Sequence, residues 1–178
     1  MRALRFDRYG PPEVLRIEEL PEPSPAAGQA KVRVRAVGLN PLDWKLRAGH
    51  LRFIPVFRGP PRGLGCDFAG EIVGVGGGAT QRHMGERVLG SLLPFAREGA
   101  LADYIVVPYE RMLPIAPELD AEKAAALPVA GGRALQALAD QARVPPRPPV
   151  PLLRSARPAG PFARPPARPG APPRLSRV

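Results

Sequence analysis

Hydrophobic and polar residues alternate along several short segments of the first 142 residues, the pattern of half-buried β-strands. The segment Lys31–Val37 alternates most cleanly, with Val and Ala on one face and charged residues on the other. Five further strands are predicted at Ala3–Phe6, Val14–Glu18, Phe68–Val75, Arg87–Leu89 and Tyr104–Val107. Because Gly- and Pro-rich turns separate these runs, we predict a mainly β fold with a few short helices, a small closed or partly closed β-barrel.

Helical patterns are short and few. The predicted helices cover Leu42–Ala48, a run from the N-cap Asp120 to Ala126, and a run that starts at Pro128 and carries Ala134–Leu138. The last of these helices points towards a region of very different composition.

The composition changes sharply at Arg143. From there to Val178 the chain holds 12 Pro, eight Arg and no acidic residue, so this segment carries +8 of the net charge of +10. Too few apolar side chains remain to offset the entropy of ordering. We therefore predict a β domain at 1–130, the start of a linker helix at 131–143, and a disordered Pro/Arg-rich tail at 144–178.

The remaining composition excludes several classes of protein. A single cysteine, Cys66, rules out an internal disulfide framework and a Cys-rich zinc site. No apolar run reaches the roughly 18 residues of a membrane helix, and the N-terminus lacks a secretory signal. We therefore expect a cytoplasmic protein with no membrane partner.

Three features resemble sites but have simpler explanations. The Gly-rich stretch Gly74–Ala79 loosely matches a dinucleotide fingerprint, but no helical pattern follows it, so a hairpin or bulge is favoured. His50 and His83 have no partner at metal-ligand spacing and are expected at structural positions. Cys66, beside Phe and Ala, is expected to be a small buried hydrophobic residue rather than a reactive thiol.

The junction after the most regular strand has a different character. Asn40, Asp43, Trp44 and Lys45 fall together within six residues. Two interpretations stay open on the residues alone: a polar strand-to-helix junction with Asn40 as cap, or a functional site.

Several segments together resemble one family, the zinc-independent quinone oxidoreductases of the medium-chain dehydrogenase/reductase superfamily. The segments that carry the resemblance are Phe6–Leu15, Val37–Lys45, Gly65–Gly70, Gly85–Gly90 and Ala124–Gly131. Their order and spacing fit over residues 1 to 142. The resemblance implies a GroES-like barrel followed by a Rossmann domain that binds NADPH, and hydride transfer to a small-molecule quinone or enone.

The resemblance also implies site residues. Asn40 would lie near the nicotinamide and the substrate, Asp43 would share that cleft as a second catalytic candidate, and Lys45 would be a weaker candidate for contacting the cofactor. The zinc-dependent branch carries Cys in place of Asn40 and His-Glu in place of Cys66-Asp67. One thiolate cannot assemble a tetrahedral zinc site, so no metal is expected.

The chain departs from the family after Gly131. Arg133 stands where the family usually has Thr, and no strand or Gly-rich phosphate turn follows Val144. We therefore expect the Rossmann domain to be missing, through a frameshift or a natural basic tail, and expect little NADPH binding or activity from this chain alone.

The alternative function is a non-catalytic binding module whose basic, Pro-rich tail contacts nucleic acid or a protein groove. Nucleic acid is disfavoured because the tail offers only one aromatic side chain, Phe162, for base stacking. The sequence does not fix the oligomeric state.

Overall fold

A computed structural model describes residues 1–57, 59–78, 82–92 and 97–137. Short strands dominate this part of the chain. The strands are β1 (Arg2–Phe6), β2 (Arg16–Glu19), β3 (Gln29–Gly38), β4 (Arg62–Gly63), β5 (Asp67–Val75), β6 (Arg87–Ser91), β7 (Tyr104–Pro108) and β8 (Met112–Pro114). The helices are α1 (Pro41–Arg47), α2 (Ala121–Ala125) and α3 (Pro128–Leu135). The predicted mainly β fold with a few short helices is confirmed.

The strands form two antiparallel sheets. The smaller sheet has the order β2-β1-β4, and the larger has the order β7-β3-β5-β6-β8. The central strand of the larger sheet, β5, pairs with β3 on one side and with β6 on the other. It therefore brings its first residue, Asp67, next to the C-terminal end of β3, where Gly38 lies opposite it.

The alternating pattern of Lys31–Val37 explains the position of β3. Val32 is fully buried, whereas Arg33 and Arg35 face outward. The pairing of β3 with β5 shifts register twice, between Lys31 and Val32 and between Val34 and Ala36. Such bulges bend and twist a strand, and they fit a sheet that curves around its core.

One predicted strand starts later than the sequence pattern suggested. Val14 belongs to a 3-10 turn at Pro12–Val14, and β2 begins only at Arg16. Proline at the start of the turn fixes φ and withholds a backbone donor, which favours the turn over an early strand. The sequence analysis also missed β4 and β8, which span two and three residues and are too short to show a period.

The predicted helices are found close to their expected places. Asp120 caps α2 by accepting a hydrogen bond from the backbone N–H of Lys123 over 2.7 Å. Helix α3 begins at Pro128 as predicted and is helical to Leu135. None of the helices in the described ranges has the length and hydrophobicity that a membrane span requires.

The chain divides into two compact units, Met1–Val129 and Ala130–Val178. Among the described residues of the first unit, buried apolar side chains form three clusters. The largest fills the five-stranded sheet around Phe68, and a second gathers Phe6, Val14, Leu46 and Leu64. In the second unit, the predicted disordered tail at 144–178 lies outside the described residues.

Candidate functional site

The candidate site is built around the start of α1. Asn40 occupies the N-cap position with extended backbone angles, and Pro41 follows at the first helical position, which it favours. The backbone N–H of Asn40 donates to Oδ2 of Asp43 over 2.7 Å. This contact is one half of a capping box, so the sequence Asn-Pro-Leu-Asp itself fixes where the helix begins.

The side chain of Asn40 is directed to the large sheet. Its Nδ2 donates to Oδ2 of Asp67, at the start of β5, over 3.1 Å. The same Asp67 oxygen accepts the backbone N–H of Val129 over 3.2 Å. One carboxylate oxygen thus holds both the cap of α1 and the second residue of α3.

Asp67 is a buried acid, with 2% of its surface exposed. Its other oxygen, Oδ1, is buried without a well-formed hydrogen bond. The Ser91 hydroxyl lies near Asp67 and donates to the Leu92 carbonyl oxygen over 3.3 Å. Burial raises the pKa of Asp67, and the charge of Asp43 adds to the rise, while hydrogen bonds from Asn40 and other donors oppose it.

Asp43 is also enclosed. Its Oδ1 accepts the backbone N–H of Gly65 over 3.0 Å and faces the Cys66 Sγ at 3.9 Å. With Oδ2 taken by Asn40, both oxygens hold backbone groups in place. Asp43 therefore links α1 to the segment before β5 through hydrogen bonds to two backbone N–H groups. Its catalytic role stays a prediction.

Cys66 is buried, which confirms the expected hydrophobic placement. Burial raises the pKa of its thiol to about 12, and the neighbouring Asp43 and Asp67 charges reinforce the rise. Arg62, 4% exposed, lies in the same interior, and burial lowers the pKa of its guanidinium while Cys66, Tyr9 and Asp43 raise it. The thiol is protonated at neutral pH and is not activated as a nucleophile.

The remaining candidates lie on the surface. Lys45 is exposed, with its ammonium 5.7 Å from the centroid of the Trp44 ring. His50 is exposed and meets Trp44 edge-on at 5.2 Å between ring centroids. His83 is exposed beside Glu86. The structure thus brings Asn40, Asp43 and Asp67 together and leaves Lys45 outside their hydrogen bonds.

The Gly-rich stretch begins with the last two residues of β5 and continues at Gly76–Gly78 into the connection between β5 and β6. Strands β5 and β6 pair antiparallel on either side of it, and the described part of the connection contains no helix. Gly76 donates to the Gln29 carbonyl over 2.8 Å, and Gly77 accepts from Gly28 over 3.0 Å. A Cβ at Gly76 would lie 1.8 Å from the Ala26 carbonyl oxygen, so close backbone approach explains this glycine. The hairpin interpretation is confirmed.

Within the described ranges no three His, Cys, Asp or Glu side chains form a group that could hold a metal ion.

Comparison with known proteins decides the family. The profile of the alcohol dehydrogenase GroES-like domain matches residues 26–117, more than half of the 178 residues. The chain belongs to that family. The matched range contains β3, α1 and β5, so the site around Asn40 and Asp67 lies inside the GroES-like domain.

Several sequence relatives of this chain are named quinone oxidoreductases. The chloroplast envelope quinone oxidoreductase homolog of Arabidopsis thaliana is 37% identical over 144 residues, which cover 80% of this chain and 43% of that protein. The chain thus spans less than half the length of the curated relatives it matches.

Solved structures agree with the sequence relatives. The quinone oxidoreductase of Coxiella burnetii is 34% identical with a TM-score of 0.70, covering 81% of this chain and 45% of that one. The Escherichia coli quinone oxidoreductase complexed with NADPH is 27% identical with a TM-score of 0.69, covering 78% and 40%. The predicted GroES-like fold of the medium-chain dehydrogenase/reductase superfamily is confirmed.

Sequence reasoning missed two members of the site in the GroES-like domain. Asp67 and Arg62 were not singled out, although both are buried and charged. The available signal was an acid inside the apolar run Cys66–Ala69, because a charged residue in a buried strand must find partners. The partners themselves lie far along the chain, at Asn40 and Val129.

Proposed function

We propose that residues 1–129 form the substrate-side part of an NADPH-dependent, zinc-free reductase of quinones or enones. The observation that carries the proposal is the Asn40–Asp67 hydrogen bond at the N-terminus of α1 in a GroES-like domain. It presents a half-buried amide, fixed in orientation, beside a polar interior.

Asn40 suits a positioning role. Since its Nδ2 is held by Asp67, rotation of the amide is restricted, and a side chain fixed in this way can orient a neighbouring group. NADPH supplies the hydride when it is bound. Asn40 would hold the nicotinamide and the acceptor in register, while Asp43 and Asp67 keep the Asn40 backbone and side chain in place.

A catalytic zinc ion does not fit the described residues. The amide of Asn40 is a poor zinc ligand, and the thiol of Cys66 is buried beside two carboxylates that disfavour its deprotonation. The zinc-free proposal rests on this chemistry.

The pyrophosphate of NADPH does not fit the Gly-rich stretch, because that stretch turns a hairpin and opens no helix within the described residues. The nucleotide contacts therefore have to come from a Rossmann domain. We expect the 178-residue chain alone to show little NADPH turnover.

The experiment is a fusion of residues 1–129 to the nucleotide-binding half of the E. coli quinone oxidoreductase. The expected result is NADPH oxidation that depends on a soluble benzoquinone and is unaffected by a zinc chelator, with neither part active alone. Loss of activity on chelation would contradict the zinc-free mechanism. A well-folded fusion that binds NADPH but reduces neither quinones nor enones would contradict the proposed substrate class.

A further inference from the structure

Exposed apolar side chains lie on α1 and on the segment that follows it. Residues 52–56 are all exposed, although large apolar side chains occupy three of the five positions. Phe53 exposes 81% of its surface, and Trp44 on α1 exposes 47%. We define the apolar–basic patch as Trp44, Lys45, Arg52, Phe53, Ile54 and Val56.

The segment that carries this patch is held in place from its inner side. Leu46 is buried in the second core cluster, and Leu51 and Phe57 pack against that cluster. Successive turns shape the segment, with the N–H of Arg52 donating to Gly49 over 3.2 Å and that of Phe57 donating to Ile54 over 3.0 Å. The buried side chains and the turn hydrogen bonds fix the backbone of this segment. Its outer apolar side chains are therefore exposed by a defined local structure.

The charges of the segment all have one sign. Between Trp44 and Phe57 the sequence has three cations, Lys45, Arg47 and Arg52, and no acid. Arg47 turns inward and donates to the Gly10 carbonyl over 2.6 Å, so Lys45 and Arg52 are the outward charges. Each lies against an aromatic ring, at 5.7 Å from Trp44 and 4.4 Å from Phe53.

We propose that the apolar–basic patch is a docking surface for the face of an anionic lipid membrane. Tryptophan and phenylalanine with neighbouring cations suit the interface, where rings enter the acyl boundary and cations meet phosphate headgroups. The patch needs no spanning helix, and none of the helices in the described ranges could span a bilayer. Docking at the membrane face differs from the expected absence of a membrane partner, which was based on the lack of a spanning segment.

The composition favours a membrane over a nucleic acid. Stacking on bases uses aromatic faces, whereas Ile54 and Val56 on the same surface offer only aliphatic bulk. Aliphatic side chains gain free energy by leaving water for hydrocarbon.

The test uses the full chain and its sole tryptophan, Trp44. The probe is a vesicle of phosphatidylcholine mixed equally with phosphatidylglycerol, with and without bromine on the acyl chains. The expected result is a blue shift of Trp44 emission on binding and quenching by the brominated lipid. The variant Phe53→Ser/Ile54→Ser should weaken partitioning more than about tenfold and abolish the quenching.

Two controls separate this patch from other causes of binding. The basic tail could bring the chain to anionic vesicles by charge alone, but the double serine variant keeps that charge. The matched variant Ile17→Ser/Leu113→Ser removes two other exposed apolar side chains, at 71% and 63% exposure, and should behave like the parent chain.

Three outcomes would overturn the proposal. The first is a bound chain whose Trp44 is not quenched by brominated lipid, and the second is a Phe53→Ser/Ile54→Ser variant quenched like the parent. The third is a Trp44 shift that a single-stranded oligonucleotide or self-association produces and vesicles do not.

Discussion

Asn40 and Asp67 are 27 residues apart in sequence, yet the amide nitrogen of one lies 3.1 Å from a carboxylate oxygen of the other. This hydrogen bond joins the start of α1 to the start of β5. Because Oδ2 of Asp67 also accepts the backbone N–H of Val129, the same acid fixes the entry of α3. The local fold around the candidate site therefore depends on one buried side chain.

Replacing Asp67 tests that dependence. Asp67→Ala removes the acceptor for two donors, and we expect the free energy of unfolding to fall by about 2 kcal/mol or more. Asp67→Asn keeps an oxygen acceptor of the same shape without the buried charge, and should stay within about 1 kcal/mol of the parent. Urea unfolding of both variants measures the difference, and an alanine variant as stable as the asparagine one would contradict the bridging role.

The raised pKa of Asp67 predicts a pH dependence with a defined sign. Because the folded state binds the proton more tightly than the unfolded state, the contribution of Asp67 to stability is lost as pH rises from 3.8 through its folded pKa. The Asn variant lacks this titration. The difference in unfolding free energy, Asp67→Asn minus parent, should therefore increase from acid pH towards neutrality, and a difference that stays flat or decreases would contradict the assignment.

Cys66 is expected to be almost unreactive in the folded protein. With a pKa of about 12 and a buried sulfur, its thiolate is scarce at pH values near neutrality. Thiol-disulfide reagents should label the native chain very slowly and label it at once in denaturant, and any labelling reports Cys66 because it is the sole cysteine. Rapid stoichiometric labelling of the native chain would show that the thiol is accessible and activated.

The two neighbouring glycines of the hairpin connection form a matched pair. A Cβ at Gly76 would meet the Ala26 carbonyl oxygen at 1.8 Å, whereas one at Gly77 would meet nothing within 4 Å. Gly76→Ala should therefore cost about 2 kcal/mol or more of unfolding free energy, and Gly77→Ala less than about 1 kcal/mol. Equal stability of the two variants in urea unfolding would contradict the close approach of the backbone at Gly76.

The sequence predicted those parts of the fold that a local pattern determines. The alternation of Lys31–Val37 located β3, and the N-cap Asp120 located α2. Strand β4 was missed because a strand of two residues is too short to show an alternation of apolar and polar positions. Strand β2 begins later than predicted because a turn that starts at Pro12 includes Val14.

The sequence predicted only those residues of the candidate site that belong to a local motif. Asn40 and Asp43 stand out because a capping box is a local motif, with its members three residues apart. The role of Asp67 depends on the pairing of β3 with β5, which places Gly38 opposite it and Asn40 close by. No local pattern records such a pairing.

The measurement that tests the central claim most directly is quinone-dependent NADPH turnover by the fusion protein carrying Asn40→Ala. We predict that kcat falls about a hundredfold, because a positioned amide at the reacting groups is lost. The control Asp120→Ala removes the exposed N-cap of α2, which makes no contact with Asn40, Asp43 or Asp67 among the hydrogen bonds described above, and should keep parental turnover. Unchanged turnover with Asn40→Ala would contradict the placement of Asn40 in the active site.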